Sequence, residues 1–136
     1  MKLRTALVSL ALVSAFALAA CGGESESEEA AEQNATPAEA RAEIGEVRTA
    51  LDTAVTQLKE GDAKAADNAV SEGYLEHFEK VEGPLDKVDG ELTEKLEDSI
   101  REELRDKIQD GGSVAEVTQM VSAIKADLAT AEQKLQ

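Results

Sequence analysis

The chain has 136 residues, with 29 acidic side chains against 14 basic ones and a formal net charge of -15, a balance that repels nucleic acid and anionic headgroups. A single cysteine and a single histidine exclude an internal disulfide and a thiolate-rich metal site, and they leave little material for nucleophile–base catalysis. Acidity of this degree fits cation attraction, solubility in high salt or a solvated helical surface; the spread of acids from Glu24 to Glu132 favours the last.

Lys2 and Arg4 precede a mostly apolar run from Ala6 to Ala20, and Cys21, Gly22 and Gly23 follow it. A run of this length ending in small residues and then acids reads as a removable export segment rather than a membrane span. Its last residues, Leu18-Ala19-Ala20-Cys21, resemble the lipobox of bacterial lipoproteins. That resemblance implies a signal peptide over residues 1–20, cleavage before Cys21 and a diacylglyceryl group on its thiol. The lipid bilayer would then hold the chain on the extracytoplasmic side of the cell envelope, at the outer membrane or the outer face of the cytoplasmic membrane. Two or three acyl chains, at about 0.8 kcal/mol per buried methylene, make such attachment effectively permanent. A plain secretory signal with an incidental cysteine is the alternative.

From Gly22 to about Thr36 the chain is mainly Gly, Ser, Glu, Ala, Gln and Asn without a branched aliphatic residue, too polar to offset the entropy of ordering. Residues 21–36 are therefore expected to form a lipidated, disordered acidic tether, extended by repulsion among its glutamates.

Beyond the tether every apolar pattern has the helical period. Thr36-Pro37 provides a cap and a proline at the first helical position, and Ile44, Val47, Leu51, Ala54 and Leu58 recur at three- and four-residue spacing up to Gly61. Asp62 caps a second helix whose face of Ala66, Ala69, Val70, Gly73, Tyr74, Phe78 and Val81 is expected to stop at Gly83-Pro84. A third begins near Asp89 and carries Leu92, Leu96, Ile100, Leu104 and Ile108 at strict fourfold spacing, a stripe that drifts around an α-helix, up to Gly111-Gly112. Ser113 and Glu116 read as a capping box for a fourth helix bearing Val114, Val117, Val121, Ile124, Leu128, Ala131 and Leu135. Short turns between four amphipathic helices predict an all-α fold, an antiparallel up-down four-helix bundle over residues 37–136.

Gly61-Asp62 followed by alanines, then Tyr74-Leu75, Phe78-Glu79, Glu82, Leu85, Leu92, Glu97, Leu104 and Ile108, resembles the soluble extracytoplasmic helical domain of prokaryotic high-affinity iron permeases. The likeness covers residues 61–108 and continues weakly through the last helix. It implies handling of iron or another divalent cation outside the membrane, in service of a separate permease. The Arg-Glu-x-x-Glu motif of the permease half is absent, since Arg101-Glu102 is followed by Glu103, Leu104 and Arg105. The His-x-x-Glu element of imelysin-like iron-uptake lipoproteins is also absent, since Lys80 stands three after His77.

Carboxylates from facing helices, with one imidazole, suit iron, manganese or zinc. Glu79 and Glu82 lie three apart on one side of a helix, and Glu97 lies at the edge of the third apolar stripe; with His77 they make the candidate metal ligands. Against this stand simpler roles: Glu97 pairing with Arg101 four residues on, Glu79 and Glu82 as surface acids, and His77 bonding a neighbouring acid or the Tyr74 hydroxyl. Tyr74 itself reads as a boundary aromatic whose hydroxyl reaches polar partners. With no glycine-rich nucleotide turn and no serine placed beside a base, an enzyme is not expected. Two functions follow: a metal-handling envelope lipoprotein, or a structural or interaction lipoprotein whose bundle binds an envelope partner or itself.

Overall fold

The structure, a computed structural model, describes residues 35–136. The expected signal peptide, Cys21 and the tether up to residue 34 lie outside the described residues. Thr36 accepts the backbone N–H of Glu39 at 3.3 Å while the Glu39 carboxylate accepts that of Thr36 at 2.7 Å, which satisfies two of the free donors at the start of helix α1, Pro37–Lys59. Gly61, at φ 87°, reverses the chain where a side chain would be strained. Asp62 then accepts from the Ala65 N–H at 2.9 Å and starts α2, Ala63–Gly73.

From α2 the chain runs through a π-helical segment π1, Tyr74–Phe78, into α3, Glu79–Glu97, a second π segment π2, Asp98–Leu104, and α4, Arg105–Gln109. Gly111, at φ 77°, turns it again. The predicted capping box of Ser113 and Glu116 opens α5, Val114–Lys134. Among the described residues all regular structure is helical.

The second predicted helix does not stop at Gly83-Pro84. Helix continues through both residues, and the break falls at Asp89, whose φ of -161° and ψ of 82° are extended. Pro84 cannot donate to the Lys80 carbonyl, a real cost, but Val81, Pro84 and Leu85 are all buried. Ending the helix at Gly83 would leave Leu85 outside the core. Asp89 suits the break because its carboxylate accepts the Leu92 N–H at 3.1 Å and so caps the restarted helix, the starting point that the sequence predicts.

The π segments explain how fourfold stripes stay buried. At about 100° per residue, a four-residue repeat advances roughly 40° past one α-helical turn each time. Ala66, Val70, Tyr74 and Phe78 share this spacing, as do Leu92, Leu96, Ile100, Leu104 and Ile108. The Glu79 N–H reaches back five residues to the Tyr74 carbonyl, and such a wider turn winds the stripe back toward the core. All of these except Leu92, which packs partly buried against the rest, are buried.

Helix α1 contributes Ile44, Val47, Leu51 and Ala54 to the core, and α5 contributes Val117, Val121, Ile124, Leu128 and Ala131. Among the described residues Phe78 is the largest fully buried side chain. Ion pairs join the elements at the surface. Arg48–Glu132 at 2.9 Å and Lys125–Asp52 at 2.7 Å link α1 to α5; Arg105–Asp67 at 2.8 Å links α4 to α2; Lys95–Asp127 at 2.8 Å and Lys134–Asp89 at 2.9 Å link α3 and its break to α5.

Candidate functional site

Tyr74 opens π1 with its ring against Phe78, centroids 5.8 Å apart, and only 6% of its surface exposed. A buried phenol needs a partner, and the Tyr74 hydroxyl donates to Glu82 Oε1 at 2.7 Å. From π2, the Arg101 guanidinium lies 5.9 Å from the Tyr74 ring centroid, within cation–π range, and donates to Glu97 Oε1 at 2.8 Å. Tyr74 of π1 and Arg101 of π2, far apart in sequence, thus meet.

Burial raises the Tyr74 pKa well above the usual phenol range, and the hydrogen bond to Glu82 together with the charges of Glu82 and Glu97 raises it further. Each of these disfavours the phenolate. At neutral pH the group is a neutral donor to a carboxylate, neither a nucleophile nor an anionic ligand. Glu97 takes the simpler role expected of it, pairing with Arg101.

The remaining candidates sit differently. His77 Nδ1 lies 2.7 Å from Glu43 Oε2 on α1, and Lys80 Nζ lies 3.6 Å from the other oxygen of the same carboxylate. His77 therefore takes the neighbouring-acid role, with an acid from another helix. Glu79 is the first residue of α3 and half-buried. Glu82 and Glu97 meet around Tyr74 and Arg101, whereas His77 turns to Glu43. Among the described residues no group of three or more His, Cys, Asp or Glu side chains is placed to hold a metal ion. Glu43 gave no signal in sequence, because its role depends on which face of α1 meets π1.

A second feature lies between α1 and α2. An open hollow of about 190 Å³ is lined by Glu46, Thr49, Ala50, Thr53, Ala69, Glu72, Gly73, Glu76 and His77. Gly73 sits directly against Ala50 at this point, so close that a Cβ on the glycine would be 2.5 Å from that of Ala50. Small residues at the contact let the helices approach and leave a shallow floor, with exposed glutamates around its rim. The small residues Ala66, Ala69 and Gly73 of the second helix are legible in the sequence, but the rim is not, because Glu46 comes from a different helix than Glu72 and Glu76.

No family model matches the chain, and neither a search of curated proteins nor one of solved structures returns a match.

Proposed function

We propose that the chain is a non-enzymatic lipoprotein of the bacterial envelope, held in the lipid bilayer by acylated Cys21, whose helical domain works on the extracytoplasmic side by binding a protein partner. Its architecture in this reading is an antiparallel four-helix bundle, divided at Gly61, Asp89 and Gly111. The ion pairs support that arrangement, since Arg48 and Asp52 ascend α1 while their partners Glu132 and Lys125 descend α5. The observation that carries the functional reading is the use made of the candidate ligands: Glu82 accepts from Tyr74, Glu97 from Arg101, and Glu43 pairs with His77. Each of these carboxylates is thus engaged by a side chain of the protein itself, which leaves the outer surface as the working part.

A second reading, accessory uptake of iron or another divalent cation through a separate permease, draws on the convergence of Glu82 and Glu97 at one phenol and on the resemblance of residues 61–108. Calorimetric titration of the chain with ferrous, ferric, manganese and zinc ions, beside a Glu79→Ala, Glu82→Ala, Glu97→Ala triple variant, separates the two. Contact function predicts only weak, salt-screened binding that is the same in both proteins. Stoichiometric binding that the triple variant loses would replace it with cation handling. Photo-crosslinking from Thr53, Glu102 or Ala123 in native cells should capture a protein partner from at least one position, and no adduct from any would overturn the contact reading. Labelled palmitate should enter the wild-type chain and not the Cys21→Ser variant.

A further inference from the structure

The hollow between α1 and α2 brings carboxylates from two helical segments around a floor of small residues. Glu46, Glu72 and Glu76 are exposed around it, and no ion pair or hydrogen bond ties these three side chains to another described residue. Most of the basic side chains are held in ion pairs elsewhere, among them Arg48, Lys95, Arg105 and Lys125. At one end of the hollow His77 and Lys80 both turn to Glu43, so both are already engaged. What faces outward is an apolar floor of Ala50, Ala69 and Gly73 under three uncompensated carboxylates.

We propose that this hollow is the docking surface for a basic segment of the partner protein, and that it receives an arginine side chain. This rests on the reading of the chain as a protein that acts by contact. An arginine matches both parts of the surface. Its methylene stem covers the alanine and glycine floor, and its planar guanidinium reaches carboxylates on opposite rims. A bare metal ion would need ligands gathered more tightly than any group among the described residues. A second copy of this chain would bring the same large excess of acidic over basic side chains, with most of its bases engaged in its own ion pairs, so repulsion works against it. Leu75, 56% exposed and three residues after Glu72, offers an apolar contact beside the rim.

The test measures fluorescence anisotropy of a labelled alanine-based helical peptide with arginine at every fourth position, added to the detergent-solubilised chain at physiological salt. A peptide with citrulline at the same positions keeps the shape and removes the charge. The arginine peptide should bind at one to one and the citrulline peptide should not. Affinity should fall by about tenfold or more in a Glu46→Gln, Glu72→Gln, Glu76→Gln variant, and similarly in Thr53→Phe, which fills the hollow without changing charge. It should change less than about twofold when the same charge is removed elsewhere, by Glu94→Gln, Glu102→Gln, Glu103→Gln. Circular dichroism melts identify any variant that has lost its fold, and the two glutamine variants remain informative if Thr53→Phe does not fold.

Equal losses in both glutamine variants would mean diffuse attraction and overturn the proposal, as would no binding by the wild type. Displacement of the peptide by micromolar manganese would make the hollow a cation site, and a wild-type dimer that the groove variant loses would make a second copy the occupant; either also overturns it. Crosslinks from Glu102 or Ala123 without peptide binding would remove the hollow and leave the contact reading standing. Absence of both would remove both.

Discussion

Gly73 and Gly45 test the same substitution in opposite settings. A Cβ at Gly73 would meet the Ala50 Cβ at 2.5 Å, whereas nothing lies within 4 Å of one at Gly45. Both contacting carbons at Gly73 are fixed to backbone, so neither can swing aside, and α1 and α2 must separate. Gly73→Ala should therefore destabilise by about 1–3 kcal/mol through overpacking, even after the better helix propensity of alanine is counted. Gly45→Ala should stabilise by roughly 0.5–1 kcal/mol, because alanine loses less chain entropy in a helix. Urea midpoints of the two variants check the sign of each. The glycine face of the second helix was legible in the sequence, but only the fold shows which residue it touches.

At the scale of an element, the decisive residue is Asp89. Its side chain caps the restarted helix through Leu92 and also pairs with Lys134 at 2.9 Å, and the Thr93 hydroxyl donates to its backbone carbonyl at 3.0 Å. Asp89→Ala removes the cap and should cost about 0.5–2 kcal/mol. Asp89→Asn keeps a capping oxygen and loses only the exposed ion pair, so its cost should stay below about 1 kcal/mol. Thermal unfolding of both variants separates the contributions; equal losses would show that the ion pair, not the cap, holds the corner. Gly83-Pro84 carries the stronger stop signal in sequence, yet burial of Pro84 and Leu85 overrides it. Helix propensity is a local effect of a few kcal/mol at most, and buried side chains on the same turn offset it.

For the whole molecule, the acid excess and the ion pairs that cross between helices respond to pH in opposite ways. Protonating exposed glutamates relieves repulsion. Protonating a carboxylate held by a partner removes stability. Asp67 is the clearest held group: the Arg105 guanidinium reaches its two oxygens at 2.8 and 3.3 Å and Gln109 donates at 3.2 Å, and these bonds, Arg105 first, hold its pKa below the usual carboxylate range against the opposing effect of burial. A pKa lowered by folding contributes stability that is present above the unfolded value, about 3.9, and is lost as pH falls through the folded one. The wild type should thus lose stability more steeply than Asp67→Asn as pH falls below about 4. Urea unfolding of both proteins from pH 6 to pH 2 tests this, and parallel curves would refute it.

Periodicity and capping residues determined most of the secondary structure: the Thr36 and Ser113 capping boxes, the turns at Gly61 and Gly111, the restart at Asp89 and nearly every core position. These signals are local, carried by residues three or four apart, so one chain suffices to read them. The π segments were visible only as an unexplained drift of fourfold stripes, because the wider turn forms in response to packing. Which partners the polar residues take across helices was decided by tertiary structure. Tyr74 with Arg101, His77 with Glu43, and the glutamate rim around Ala50 and Gly73 each depend on the rotation of one helix against another, and that rotation is fixed by how the buried side chains of all the helices fit together.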